Sequence, residues 1–239
     1  PDKTAELAYN EWYRVFCGAA VINAVFSQLR EKVGEPYKSF PSDSFVFLEG
    51  GMAGWGTVCG SNAGANIVSN VIIGPRIAGP DTEAGHSMGS EMLQWYSETA
   101  LPVYAPKTPK QPSKIVQTTS NSPLCHVSVG KWMKESGFAL ASPERKDRCA
   151  RVAASVAYKL VQDLNAWKEG HKLVLLVYKI TKDFPSKETY SIVDQMRRAA
   201  ASITANIAEG FGRQTYREKV QFYYMAQGSL TELKNFILI

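Results

Sequence analysis

Apolar residues recur at helical spacing along the first part of the chain. From Thr4 to Lys32 an apolar side chain returns every three or four positions, as one buried face of a helix requires. Gly34 follows, and glycine commonly stops a helix. The pattern therefore predicts a helix over Thr4–Lys32 that carries Cys17 and buries these residues: Leu7, Trp12, Val15, Phe16, Ala19, Ala20, Val25, Phe26 and Leu29.

The middle of the chain alternates between loops and shorter helical patterns. Residues 34–58 are interrupted by Gly and Pro, and residues 100–121 contain four prolines that exclude a regular ladder. Long loops of this kind usually pack as irregular arms or carry function. We expect a short buried segment at 45–48, a helix over 59–73 ended by Gly74-Pro75, a helix over about 87–99 capped by Ser87, and an irregular arm over 100–121.

Beyond Pro143 the pattern changes to long helices. From Glu144 to Asp183 the chain has no Pro and one Gly, Gly170, while apolar residues keep helical spacing. A helix of that length would span about 60 Å, either unbroken or divided near Gly170. Phe184-Pro185 ends it. Two further helices are predicted, over Tyr190–Ala208 with Gly210 as a left-handed C-terminal residue, and from near Thr215 to the end.

The predicted last helix has no stop signal. It ends on four apolar residues, 236–239, which would leave core-type surface in water. A partner helix or another subunit is therefore expected to cover it. The inward positions predicted on this helix are Phe222, Tyr223, Met225, Ala226, Leu230, Leu233 and Ile237.

Composition and charge exclude several classes of protein. The 239 residues are 45% hydrophobic and 21% charged, which excludes a disordered or coiled-coil chain. No apolar run approaches the ~18 residues of a membrane helix, so no membrane contact is expected. Residues 1–163 have a net charge of +1 and residues 164–239 one of +4, which makes nucleic acid a weak candidate partner. The sequence begins at Pro1 without a signal peptide, so an exported and a cytosolic origin both stay open.

Four cysteines supply the candidate chemistry. Cys17, Cys59, Cys125 and Cys149 are separated by 42, 66 and 24 positions, with no CxxC and no CxxCH motif. Buried free thiols, two disulfides and four metal ligands all remain open at such spacing. His126 and His86 are candidate cofactor contacts, although a covalent haem would need the absent CxxCH.

The residues around the cysteines favour a metal site as strongly as disulfides. Ser122 and Pro123 predict a helix start with Cys125 in its first turn, where the helix dipole favours a thiolate. Gly60 beside Cys59 allows the close backbone approach that a cluster sulfur needs. Ser142-Pro143 repeats the start signal, about two turns before Cys149.

The first part of the chain resembles a redox-active family named for the cysteine pattern C…GCAxxG…C…C, which includes split-Soret cytochromes. The matching pieces are Cys17–Ala20, Gly50–Gly54, Cys59–Gly64, Cys125–Val129 with Trp132, and Cys149; the chain departs in having Gly60 and Ser61 directly after Cys59. The resemblance implies a 2Fe–2S cluster held by all four cysteines in an exported protein. Gly60 and His126 are candidate neighbours of such a cluster, although His126 could equally make an ordinary backbone hydrogen bond.

The second part resembles the four-helix-bundle proteins encoded in 23S rRNA intervening sequences. The matching pieces are Trp167–Leu173, Gln195–Ala200, Ala205–Gly210 and Gly228–Leu233. This resemblance implies a cytoplasmic protein without enzymatic activity that tends to form pentameric rings, here without the usual fourth helix.

Together these patterns predict a mainly α protein of two parts. A helical four-cysteine domain with long irregular loops covers 1–163, and a long helix joins it to an incomplete up-down bundle over 164–239. The favoured function is a non-enzymatic electron carrier or redox sensor that self-associates as a ring or dimer and has a redox partner protein. The alternatives are an assembly scaffold with structural cysteines and a redox enzyme that needs a second cofactor.

Overall fold

Helices build almost all of the regular structure, as the sequence predicts. The structure is a computed structural model that describes residues 1–73, 84–112, 116–211 and 216–238. The chain divides into an N-terminal unit, Pro1–Gln162, and a C-terminal unit, Asp163–Ile239. The division falls within helix α5. No helix in these described ranges is long and apolar enough to cross a membrane.

The N-terminal unit consists of helices joined by a 3-10 turn and a short strand pair. Strand β1 pairs antiparallel with β2, with Ala100 opposite Thr119. Residues 100–121 thus contain one short ladder inside the predicted irregular arm. The elements are α1 (Asp2–Lys32), a 3-10 helix (Ser42–Phe47), α2 (Gly60–Ile73), α3 (Ala84–Glu98), β1 (Ala100–Leu101), β2 (Thr118–Thr119), α4 (Cys125–Ser136) and α5 (Pro143–Ile180).

Helix α1 confirms the predicted helix but contains a kink. Phe16 has φ 59° and ψ −162°, which divides α1 into two helical segments. The helix ends where expected, because Gly34 takes φ +90° and its N–H donates to the Leu29 carbonyl at 3.1 Å. Both segments bury apolar side chains, including Trp12 and Phe26.

The second segment of α1 and the first turns of α2 touch backbone to backbone through Gly18 and Gly64. A Cβ added at Gly64 would overlap the Gly18 carbonyl, and a Cβ added at Gly18 would lie 2.5 Å from the Leu48 Cβ. A Cβ added at Gly60 would overlap the Leu48 carbonyl. Side chains at these positions would push the helices apart, so the crossing needs glycine.

Helix starts were predicted well in one case and less well in two others. Ser142 caps α5 as predicted, its Oγ accepting the Arg145 N–H at 3.1 Å. Helix α4 begins at Cys125, two residues later than predicted, because the Ser122 Oγ accepts the Leu124 N–H at 3.2 Å instead of capping the helix. Ser87 lies inside α3 and does not cap it. The predicted stop at Gly74-Pro75 lies outside the described residues.

The loop between α1 and α2 is more exposed than its apolar run predicted. Residues 45–48 were expected to be buried, yet Val46 and Phe47 are exposed and only Leu48 is buried. The 3-10 turn directs the aromatic rings along the surface, where Phe45 and Phe47 lie with ring centroids 6.1 Å apart.

The arm over 100–121 packs on helices, as predicted for an irregular but ordered segment. The Ser155 Oγ of α5 accepts the backbone N–H groups of Val103 and Tyr104 at 3.1 and 3.0 Å. The Trp132 Nε1–H of α4 donates to the Val116 carbonyl at 2.8 Å. These bonds satisfy backbone groups that prolines leave without a ladder.

The C-terminal unit packs the end of α5 against α6 (Asp194–Phe211) and α7 (Tyr216–Leu238). A π-turn at Thr189–Val193 precedes α6, which therefore starts later than predicted. Its core consists of Val177, Met196, Ala199, Ala200, Ile203 and Leu233, with Leu173, Val174, Ile192, Ile207, Leu230 and Phe236 packed against them.

Two predictions on the C-terminal unit were wrong. Gly210 is helical and has no positive φ; a Cβ there would lie 3.0 Å from Tyr223 Cε1 and 3.3 Å from Phe222 Cβ. Glycine at this position therefore permits close packing of α7 and does not end α6. Met225 and Ile237 were expected to point inward, but both are exposed.

Candidate metal centre

All four cysteines are buried free thiols, 5–8% exposed. Three of them stand at helix starts. Cys17 follows the Phe16 kink, Cys59 precedes α2 with its carbonyl accepting the Ala63 N–H at 3.0 Å, and Cys125 is the first residue of α4. The positive ends of three helix dipoles thus lie at thiols, which lowers the cost of forming a thiolate there. Cys149 lies inside α5.

An antiparallel bridge between Val58 and Leu124 holds the backbone of Cys59 near that of Cys125. The Cys59 N–H donates to the Pro123 carbonyl at 2.9 Å, and the Cys125 N–H donates to the Thr57 carbonyl at 2.8 Å. Backbone hydrogen bonds therefore set the relative positions of two residues 66 positions apart, whatever side chains surround them.

The glycine crossing brings Cys17 to the same place. A Cβ added at Gly60 would lie 2.9 Å from the Cys17 Cβ, so the backbone beside Cys59 contacts Cys17 directly. The Gly18 N–H donates to the Leu48 carbonyl at 3.1 Å and holds this segment in position. Gly60 thus lies between Cys59 and the Cys17 side chain.

Hydrogen-bond donors and neighbouring thiols set the electrostatics of Cys17. The Trp12 Nε1–H lies 3.4 Å from the Cys17 Sγ, and the Gly50 backbone also donates to it. Burial raises the pKa of Cys17 to about 12, with further increases from Cys59 and Cys149. Its thiol therefore keeps its proton at neutral pH unless a cation arrives.

The pKa of Cys125 is raised by the same two causes as that of Cys17, burial and the neighbouring thiols. Burial raises the pKa of Cys125, and the charges of Cys59, Cys17 and Cys149 raise it further, while Arg148 lowers it. Each thiol thus lies within electrostatic range of others in the set. A positive charge among them would reverse these shifts, because a metal cation stabilises thiolates.

Arg148 lies among the thiols and was not identified from the sequence. It is 1% exposed; one of its nitrogens lies 3.8 Å from the Cys149 Sγ and the other terminal one donates to the Ser128 Oγ at 2.6 Å. Burial by itself lowers the pKa of Arg148, but Cys149, Tyr96 and Cys59 outweigh this and raise it. A sequence signal existed, since Arg148 shares a helix face with the buried Val152 and Ser155.

Several buried polar atoms close to the thiols have no hydrogen-bond partner in the described chain. The Tyr96 hydroxyl lies against Cys59 and Ser128 without hydrogen-bond geometry to either, and burial raises its pKa. Ser61 Oγ and both amide atoms of Asn62, directly after Gly60, are also without partners. Such groups are rare in cores, and a bound group or ordered water commonly accounts for them.

The histidines predicted as cofactor contacts lie outside the thiol set. His126 is exposed and its ring packs on Gly56, where it would overlap an added Cβ. His86 is exposed on α3. In the described ranges no three His, Cys, Asp or Glu side chains are already arranged to hold a metal ion. A metal bound by the thiols would therefore have to draw them closer together.

The donor set fits a thiolate-bound iron centre. The N-terminal unit holds four buried thiols that interact electrostatically with one another, and soft thiolates are the preferred ligands of iron–sulfur clusters. N–H donors already point at one sulfur, and the single positive charge of the buried Arg148 can offset part of the negative charge of bound thiolates. The Asn62 amide, which has no hydrogen-bond partner in the described chain, lies three positions after Cys59.

Comparison with known proteins agrees with this chemistry. Residues 16–163, more than half of the chain, match the family described as "Putative redox-active protein (C_GCAxxG_C_C)". The chain belongs to this family. Residues 162–239 match a second family, described as "23S rRNA-intervening sequence protein". Both matches confirm the resemblances drawn from the motifs.

The chain is similar to split-Soret cytochrome c in both sequence and structure. The protein from Desulfovibrio desulfuricans (strain ATCC 27774 / DSM 6949 / MB) is 33% identical over 169 residues, covering 69% of this chain and 58% of that protein. The chain thus spans less than two thirds of its relative. A solved structure described as "A novel iron centre in the split-Soret cytochrome c from Desulfovibrio desulfuricans ATCC 27774" matches with a TM-score of 0.62 at 31% identity, over 68% of this chain and 66% of that one.

Proposed function

We propose that this protein is a one-electron carrier or redox sensor whose four cysteines hold a 2Fe–2S centre. The observation that carries the proposal is the set of four buried free thiols, three of which interact with the buried cation Arg148. The related split-Soret cytochrome c is described as having a novel iron centre, which supports iron as the metal. The chain lacks the CxxCH motif, so a covalent haem is not part of the proposal.

Each part of the site has a definite task in such a protein. Cys17, Cys59, Cys125 and Cys149 are the proposed ligands, and each must release a proton to bind. The helix starts at three of them stabilise the resulting negative charge. Burial of all four excludes water and so protects the thiols from oxidation. The bound centre would supply one-electron transfer to a partner protein.

Loading of the full chain with iron and sulfide tests the proposal. Anaerobic reconstitution should give a visible absorption spectrum together with about two iron and two sulfide per chain, the content of one 2Fe–2S cluster. Cys59→Ser should lose or strongly alter this spectrum, because a serine oxygen is a poor ligand for Fe–S chemistry.

Ser61→Ala is the matched control. Ser61 is 1% exposed and its Oγ makes no hydrogen bond to a described residue, so its loss should leave the spectrum unchanged. A colourless wild-type chain after reconstitution would contradict the proposed function. An unchanged spectrum in Cys59→Ser would remove that residue from the ligand set.

We also propose that the C-terminal unit self-associates. Large apolar side chains are exposed on it, among them Leu175, Leu176, Ile237 and Leu238, the last 86% exposed. An apolar groove of about 500 Å³ lies between Phe184, Met196, Ile237 and their neighbours. Burying apolar area yields about 25 cal/mol per Å², so covering several such side chains is worth several kcal/mol. A second copy of this chain is the proposed occupant.

Light scattering of the full chain at tens of micromolar should therefore show an oligomer. Ile237→Asp places a charge at the edge of the groove and should lower the mass. Asn235→Asp adds the same charge at another exposed position of α7 and should leave the mass unchanged. A monodisperse wild-type monomer would contradict self-association.

A further inference from the structure

Arg148 is a buried charge that makes no ion pair with a carboxylate of the described residues. Its recorded bonds within the described chain go to the Ser128 hydroxyl and to the Cys149 sulfur, and its Nε has no hydrogen-bond partner there. A guanidinium stays protonated in proteins. Burying such a charge without an opposite charge costs several kcal/mol. The fold therefore maintains a positive charge at the thiols at substantial cost.

Asp147, the acidic residue nearest to Arg148 in sequence, is paired with other side chains. The Asp147 carboxylate, fully buried, pairs with Arg151 at 2.7 Å and accepts hydrogen bonds from the hydroxyls of Tyr9 and Tyr13. Arg148 lies one position further along α5, so its side chain leaves the helix in another direction. The sulfurs become anions that can pair with Arg148 once they release their protons to a metal.

We infer that Arg148 is the counter-charge of the thiol site, and that it makes the site selective for an anionic, thiolate-ligated centre and favours its reduced form. The inference rests on the proposed function. One added electron raises the negative charge that faces the guanidinium by one. Attraction to Arg148 thus stabilises the reduced state more than the oxidised state, and more strongly in a buried site than in water.

A redox titration of the iron-loaded full chain tests this role, with dithionite as the electron donor. Arg148→Gln should shift the midpoint potential to a more negative value at unchanged iron content, and Arg148→Lys should restore most of it because the charge remains. Arg145→Gln is the matched control: it removes the same charge one turn earlier on α5, at a partly exposed position where water screens it. Equal midpoints in Arg148→Gln and Arg145→Gln would overturn the inference.

Zinc binding to the metal-free full chain separates this inference from the proposed function. Four thiolates around Zn²⁺ also carry net negative charge, so Arg148→Gln should bind Zn²⁺ about tenfold or more weakly than Arg145→Gln. If the wild type takes up no iron and sulfide while this difference persists, the iron–sulfur function fails and the role of Arg148 stands. Equal Zn²⁺ affinities would refute the role of Arg148.

Ser128→Ala provides a second variant if Arg148→Gln does not fold. It keeps the charge but removes its 2.6 Å anchor. The freed guanidinium should shift the midpoint and the Zn²⁺ affinity in the same direction by a smaller amount. Unchanged values in Ser128→Ala would also overturn the inference.

Discussion

The backbone kink at Phe16 predicts that glycine at this position is more stable than alanine, the reverse of the order in a regular helix. Residues other than glycine enter the φ 59°, ψ −162° region at a cost of about 1–3 kcal/mol. Phe16→Gly and Phe16→Ala both lose the edge-to-face contact with Trp12, whose ring centroid is 5.7 Å away. The difference between their free energies of unfolding therefore reports the backbone strain at position 16 alone. We expect Phe16→Gly to be more stable than Phe16→Ala by about 1–2 kcal/mol, whereas in a regular helix glycine is about 0.5–1 kcal/mol less stable.

Thermal unfolding of the metal-free full chain, followed by circular dichroism, measures this difference. For a chain of this size 1–2 kcal/mol corresponds to about 2–8 °C in Tm. Hydrogen exchange of the α1 amides assigns the change to the N-terminal unit. Arg14→Gly and Arg14→Ala form the control pair, since Arg14 lies in regular helix and should show the ordinary order. Equal stability of the two Phe16 variants, or a more stable alanine, would refute the reasoning.

Two further predictions concern a close contact and alkaline pH. Gly60→Ala should abolish iron uptake, because the added Cβ overlaps the Leu48 carbonyl. The control Gly130→Ala has open space around the added Cβ, so it should bind iron normally and gain up to about 1 kcal/mol of stability. Normal iron uptake by Gly60→Ala would contradict the need for glycine at this contact. Burial and a 2.9 Å hydrogen bond to Glu6 raise the pKa of Tyr104 above 10, so its contribution to stability is complete below pH 10 and is lost above it. Tyr104→Phe should therefore lower Tm at neutral pH and flatten its decline above pH 10; an unchanged slope would contradict this assignment.

Local signals in the sequence predicted several helix boundaries correctly. Ser142 and Pro143 start α5 because a hydroxyl cap and a proline at the first position act within one turn. Gly34 ends α1 because the left-handed conformation there suits glycine. Gly210 also predicted a helix end, and that prediction was wrong. Phe222 and Tyr223 of α7 pack against Gly210 and require a small residue inside α6.

The sequence by itself determined the mainly α class, the two family matches and the identity of the four cysteines as candidate ligands. Periodicity and caps depend on residues a few positions apart, so they can be recognised along the chain. The tertiary structure decided the kink at Phe16, the glycine crossing at Gly60 and the burial of Arg148 among the thiols. Each of these depends on backbone or side-chain contacts between segments far apart in sequence, which no local pattern encodes.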